Sequence, residues 1–226
     1  MDSRSSVFQV RVRGDLACFT RPEFGVERVS YDLITPSAAR AVLEAILWKP
    51  AIQWHITRIW LLSPVKFIQL RRNEVNKRAA TGTINSSRES GEALNYFADE
   101  DRAQRNTIAL RDVDYAVEAH FVLTSRKGPG DNILKFEEMF TRRLVNGQHH
   151  YQPYLGCREF PAKVEPYQNQ PTPCGESRPL GMMLHDIAYG RFENRAVFFP
   201  AILRNGELQV PAWTEGQMNN KSGEVQ

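Results

Sequence analysis

Apolar residues recur at every second position in three stretches of this chain, the spacing of a strand with one buried face. Phe8, Val10 and Val12 form the first stretch, and Ile52, Trp54 and Ile56 the second, which is expected to end near Leu62. The third is longer: Val113, Tyr115, Val117, Ala119, Phe121 and Leu123, alternating with Asp114, Glu118 and His120. Two further stretches keep helical spacing. Ala38, Ala39, Val42, Leu43, Ile46 and Leu47 give a mostly apolar helix, with Thr35 as its N-cap, Pro36 at its first position and Lys49-Pro50 ending it. Ile133, Phe136, Met139, Phe140 and Leu144 form the stripe of the second, which either Asp131 or Asn132 caps. Gly147 stands where a helix end favours left-handed geometry.

A loop is expected from Gly14 to Ile34, and a strand from Leu155 to Val164. The order is then β-α-β, an insertion, and β-α-β. It predicts an α+β chain with the ferredoxin-like split arrangement, two helices covering one face of an antiparallel sheet. The insertion, residues 66 to 106, carries Lys66, Arg71, Arg72, Lys77 and Arg78 against the single acid Glu74, then a polar run with no pattern. It reads as a loop region whose middle is mobile, its basic segment either tracking phosphates or simply solvated. After Glu165 the prolines 166, 171, 173 and 179 suggest irregular chain. Asn205-Gly206, between Ala196–Leu203 and Glu207–Pro211, signals a hairpin. Two parts follow: a ferredoxin-like domain over 1–164, and a small C-terminal antiparallel β region with a frayed polar tail from Thr214 over 165–226.

The 226 residues, 42% hydrophobic and 24% charged, suit a globular protein with a substantial core. A net charge of +3 and a pI near 8.8 point only weakly to a polyanion partner. The three cysteines, Cys18, Cys157 and Cys174, lack metal-ligand spacing, and reduced thiols in a cytosol fit them best. Met1 to Ser6 is polar and no apolar run approaches the ~18 residues of a membrane span. A soluble cytoplasmic protein is the expectation. Asp99, Glu100 and Asp101 are consecutive in a loop and do not converge on one ion, and no phosphate-binding P-loop occurs. Neither a metal nor another cofactor is expected.

Two distant strings carry more. One is Phe19-Thr20-Arg21-Pro22-Glu23-Phe24, with Glu27-Arg28-Val29-Ser30-Tyr31, Thr35-Pro36-Ser37-Ala38-Ala39-Arg40 and Trp48-Lys49-Pro50. The other is Gly147-Gln148 with Gln152-Pro153-Tyr154-Leu155-Gly156-Cys157-Arg158-Glu159-Phe160-Pro161. Over roughly residues 7–65 and 108–215 the chain resembles the CRISPR-associated Cas-five family, a branch of the RAMP superfamily, in its subtype I-C form. The resemblance implies an RNA-recognition-like fold and cleavage of CRISPR repeat RNA without metal. In that chemistry the ribose 2′-hydroxyl attacks the adjacent phosphate. It also implies retention of the guide's 5′ handle, and assembly with the other subunits of a subtype I-C surveillance complex.

The family's usual catalytic trio is a tyrosine, a lysine and a histidine. Here the tyrosine position is Leu47, the lysine is matched by Lys135, and Phe136 stands where histidine would be. Lys135 is therefore the expected phosphate-facing cation, unless it is an ordinary surface lysine near Glu138. His149 and His150 are the candidates to replace the missing acid–base groups, against the alternative of an exposed polar turn. Expected RNA contacts are Arg21, Arg28, Tyr31, Lys49, Arg71, Arg72, Arg142, Arg143, Tyr154 and Arg158, cations and rings of the kind that hold unpaired RNA. Arg142 and Arg143 equally suit a helix C-terminus. His55 and His120 read as structural, and His185 has no assigned role. Three functions stay open: a metal-independent endoribonuclease, a handle-binding scaffold with weak or lost cutting, and binding or metal-stimulated cutting of double-stranded DNA.

Overall fold

The structure is a computed structural model that describes residues 4–24, 26–76, 80–95, 97, 99–189 and 194–213. Its elements run β1 (Phe8–Ala17), β2 (Arg28–Val29), α1 (Pro36–Ile46), β3 (Ile52–Leu61), β4 (Phe67–Val75), α2 (Thr81–Ser90), β5 (Arg102–Leu123), α3 (Ile133–Val145), β6 (Lys163–Pro166), β7 (Arg178–Tyr189), β8 (Asn194–Arg204) and β9 (Glu207–Gln209). The fold is mixed α and β, with one large sheet in the order β6-β1-β5-β3-β9-β8-β7. All of its pairings are antiparallel except the short β2–β5 contact. Among the described residues no helix is long and apolar enough to cross a membrane.

The two core helices form where their stripes and caps predict. Thr35 Oγ1 accepts from the Ala38 N–H at 3.3 Å and opens α1, with Pro36 at its start. The buried face of α1 is Ala39, Val42, Leu43 and Ile46, and Leu47 follows it into the core. Asn132, not Asp131, caps α3, its Oδ1 accepting from the Lys135 N–H at 2.9 Å. Phe136, Phe140 and Leu144 point inward. Phe140 meets Trp54 at 4.6 Å and Phe8 at 5.0 Å between ring centroids, and Trp54 meets Phe121 edge-on at 5.3 Å. Adjacent strands β1, β5 and β3 thus present aromatic side chains to the same helix. Truncating such a buried ring to alanine typically costs about 3–5 kcal/mol.

Four expectations are corrected. Strand β1 continues past Gly14 to Ala17, shortening the first loop. The insertion is not an unpatterned loop. Strand β4 pairs along its whole length with the first part of β5, from Phe67↔Leu110 to Val75↔Arg102, and builds a two-stranded arm. Period-two hydrophobicity fails there because neither face is fully buried: Phe67, Gln69 and Arg71 are exposed while Ile68, Leu70 and Arg72 are half-buried. Helix α2 buries none of its residues. Lys77 and Arg78 of the basic segment lie outside the described residues.

Residues 155–160 form a turn rather than a strand, closed by Leu155 N–H to the Phe160 carbonyl (2.8 Å) and Phe160 N–H to the Cys157 carbonyl (2.9 Å); only Lys163–Pro166 is a strand. Strand β7 occupies chain expected to be irregular, and its register shifts at Pro179/Gly181 and Leu184/Asp186 erase the alternation. The β8–β9 hairpin does turn at Asn205-Gly206, both with positive φ, and β9 extends the main sheet by pairing with β3. The tail from Thr214 lies outside the described residues.

Candidate functional site

Lys135 lies in the first turn of α3. Its Nζ is 2.8 Å from Asp131 Oδ1, and Asp131 Oδ2 accepts from the Gly128 N–H at 2.9 Å. The hydrogen bond from Lys135, then that from Gly128, with Lys49 nearby, hold the Asp131 carboxyl below its ordinary range. Lys49, Arg126, Asp131 and Lys135 line one cavity of about 300 Å³, with Ala51 and Phe136 in its wall. Three cations face one carboxylate, so the cavity has an unbalanced positive charge suited to a phosphate. The family resemblance pointed to Lys49 and Lys135, while Arg126 and the tethering role of Asp131 were missed. The four-residue spacing from Asp131 to Lys135 is the signal that was present.

No imidazole or phenol lines this cavity among the described residues. Leu47 is 0% exposed and Phe136 2% exposed. The backbone carbonyl of Leu47 accepts from Trp54 Nε1 at 3.0 Å, which fixes the chain between α1 and β3. Both side chains belong to the core and neither moves a proton.

His149 and His150 are not brought to Lys135. They follow the far end of α3, and the ten residues from Lys135 to Val145 span about 15 Å of helix. The His150 backbone N–H donates to the Ala45 carbonyl at 2.8 Å, and Arg143 Nη1 donates to the Ile46 carbonyl at 2.7 Å. Both close the C-terminal end of α1, where carbonyls lack helical partners. The ring of His150 stands edge-on to Tyr151, 6.0 Å away. His149 and Arg143 line a second cavity. Arg142 is exposed on a shallow groove beside Glu137 and Glu138.

The remaining cations gather where the arm meets the 155–160 turn. Arg28 reaches Glu74 (3.4 Å), Glu159 (3.5 Å) and Cys157 Sγ (3.7 Å). Arg72 pairs with Glu159 and lies 5.0 Å from the centre of the Phe160 ring, while Arg105 lies 3.6 Å from Glu74. Arg28 and Arg72 are therefore already engaged in fixing the arm to the body. Arg71 is exposed on the other face of β4 and Arg158 is exposed in the turn. Tyr154 is half-buried and bridges to Pro161.

Tyr31, expected to stack on RNA, is 0% exposed, and burial pushes its hydroxyl pKa up. It instead supports Arg21, whose guanidinium lies 4.4 Å over its ring and 3.3 Å from Asp32.

The turn also closes against the first signature string. Gly156 has φ +83°, and a Cβ there would lie 2.0 Å from the Cys18 carbonyl oxygen. The Cys18 N–H donates to the Leu155 carbonyl at 3.0 Å. A hydrogen bond with Cys157, reinforced by Thr20, Arg28 and Arg72, draws the Cys18 thiol down to about 7 against the effect of burial; the same bond pushes Cys157 up. Among the described residues no group of three or more His, Cys, Asp or Glu side chains converges as a metal would require.

The model of the CRISPR-associated Cas5 family, in its Cas5d form, matches residues 7–211. The chain belongs to the Cas-five (Cas5) family, subtype I-C. This Cas5 protein is 45% identical over 212 residues to the CRISPR pre-crRNA endoribonuclease Cas5d of Mannheimia succiniciproducens, covering 90% of this chain and 94% of that one. It is 41% identical over 222 residues to the protein of the same description from Thermus thermophilus, covering 90% and 91%. The crystal structure of a CRISPR-associated protein superposes with a TM-score of 0.69 at 23% identity, over 94% of this chain and 95% of that one, and shares its fold.

Proposed function

We propose that this Cas5 protein cuts CRISPR precursor RNA without a metal ion, with the cavity of Lys49, Arg126 and Lys135 as the phosphate site. The observation that carries the reading is that cavity: three cations, one of them a Lys135 held by Asp131. The relatives described as pre-crRNA endoribonucleases support the substrate. The 2′-oxygen forms a bond to the phosphorus while the bond from phosphorus to the 5′-oxygen breaks, giving a 2′,3′-cyclic phosphate and a 5′-hydroxyl. Lys135 and Arg126 stabilise the charge of the pentacoordinate phosphorane. With no imidazole or phenol at the cavity, the proton of the 2′-hydroxyl passes to solvent hydroxide, and water protonates the leaving oxygen.

The body that presents this site, the described part of 1–164, is of ferredoxin-like type, and the described part of 165–226 is the smaller β region. The strand order β6-β1-β5-β3, with α1 and α3 as the crossover helices, supports that reading. Guide RNA and the other subunits of a subtype I-C surveillance complex are its partners in the cytoplasm.

A second reading, a handle-binding scaffold that does not cut, is favoured by the burial of Leu47 and Phe136. The two separate on incubation with the cognate repeat RNA in excess EDTA, beside the same RNA carrying a 2′-deoxy at the scissile ribose. Cleavage of the first alone is the expected result. Lys135→Ala should abolish it while leaving RNA affinity within a few-fold. Tight binding without cleavage selects the scaffold.

A further inference from the structure

The second cavity has no role in that chemistry. It measures about 330 Å³ and lies where the C-terminal ends of α1 and α3 meet the 147–153 loop and β6. Four basic side chains line it, Arg13, Arg143, His149 and Lys163, together with the amides of Gln148 and Gln152. Ile46, Leu144, Pro153 and Val164 supply an apolar floor.

Three of the polar groups are held in place. Arg143 is fixed by its bond to the Ile46 carbonyl (2.7 Å), and Gln152 Nε2 donates to the Pro153 (3.1 Å) and Ala162 (3.2 Å) carbonyls, holding the loop against β6. Arg13 pairs through Nη2 with Glu165 at 3.2 Å, while its Nε is buried with no acceptor among the described residues. Glu165 is the only carboxylate in the lining, and it is shared with Arg11 at 3.6 Å.

An apolar floor beneath a rim of cations, two of them fixed, matches one nucleotide, with the base on the floor and the phosphate on the rim. A cavity on the order of 300 Å³ sits at the small end of ligand pockets and excludes a base pair. The position agrees. Ile46 in this wall and Lys49 in the other cavity are separated in the chain only by Leu47 and Trp48, and Trp48 is 53% exposed. That exposed ring offers a stacking surface to a strand running from one cavity to the other.

We propose that this cavity holds one unpaired nucleotide of the repeat RNA flanking the scissile phosphate, with Arg143 and Lys163 on its phosphate. The proposal rests on the RNA-processing reading above and adds a specificity pocket to it. The test uses the full chain and repeat RNA with 4-thiouridine at single positions of the unpaired flank, crosslinked by long-wave ultraviolet light and mapped by peptide mass spectrometry. Crosslinks from one flank position to residues 148–153 or 162–165 are expected. Lys163 is exposed, and Lys163→Glu should weaken binding of flanked repeat RNA about tenfold while a stem-only RNA binds as before. Tight RNA binding with crosslinks only elsewhere overturns the pocket and leaves the nuclease reading standing. Parental affinity of Lys163→Glu for flanked RNA overturns the pocket in the same way. Failure of the parent to bind repeat RNA at all overturns both.

Discussion

Replacing Gly156 by alanine tests whether the turn at 155–160 is held by lack of space or only by backbone conformation. Its φ of +83° costs an L-residue roughly 1–2 kcal/mol. The added Cβ would also lie 2.0 Å from the Cys18 carbonyl oxygen and 2.7 Å from its carbon, both backbone atoms that cannot rotate away. Separating the two segments breaks the bond from the Cys18 N–H to Leu155 and leaves buried polar groups unpaired, about 1–3 kcal/mol more. The sum is about 2–5 kcal/mol, with a midpoint of ~3.5. For a chain of 226 residues that lowers Tm by about 10 °C at roughly 2–4 °C per kcal/mol. Gly147→Ala is the control, since φ there is +63° but nothing lies within 4 Å of the added Cβ, so only the conformational part, roughly 1–2 kcal/mol, applies. Thermal denaturation followed by circular dichroism reads both. Equal losses in the two variants, or a Gly156→Ala protein within about 2 °C of the parent, would refute the steric argument.

Burial, with Arg4 and His55 adding to it, holds His120 down at about 4, and burial also lowers its cross-strand neighbour His55. The unfolded chain therefore binds more protons below about 6.5, so stability is complete above that value and falls as pH drops toward about 4. Chemical denaturation across this window should show the decline, and His120→Gln should flatten it. Cleavage should rise log-linearly with pH through neutrality, because no imidazole or phenol lines the phosphate cavity among the described residues; a bell-shaped profile with a limb at ~6.5 would bring a histidine into the chemistry. Arg40 ties α1 to β7 through Asp186 at 2.6 and 2.8 Å and holds Glu44 at 2.6 Å. Arg40→Ala should cost about 2–3 kcal/mol, seen as a shifted denaturant midpoint.

What the sequence revealed follows from which surfaces have one wet face. Strands β1 and β3, the inner part of β5 and both core helices pack one side against the aromatic cluster, so their periods stand out and Thr35 and Asn132 mark where the helices begin. The arm was illegible because both of its faces meet water, and β7 because its bulges shift the phase of alternation. At the site, the resemblance to the family pointed to Lys135 and Lys49. Charge alone did not show that Arg28 and Arg72 are taken up by Glu74 and Glu159, contacts made between segments far apart in sequence. The separation of Lys135 from His149 was available in principle, since helical rise alone puts Lys135 and the chain that follows Val145 at opposite ends of α3.

Strand β5 pairs with both β1 and β3, and this has a consequence for how the chain is made. Strand β3 is complete at Leu61, but β5 is complete only at Leu123, 62 residues later. At roughly 5–20 residues per second that is a wait of about 3–12 s on the ribosome. Throughout it β1 and β3 have no partner between them, and Val10, Val12, Trp54 and Ile56 have no sheet to pack in. The arm is synthesised during that interval and its first strand is made before the second exists, so the vulnerable period in the life of this protein falls during translation.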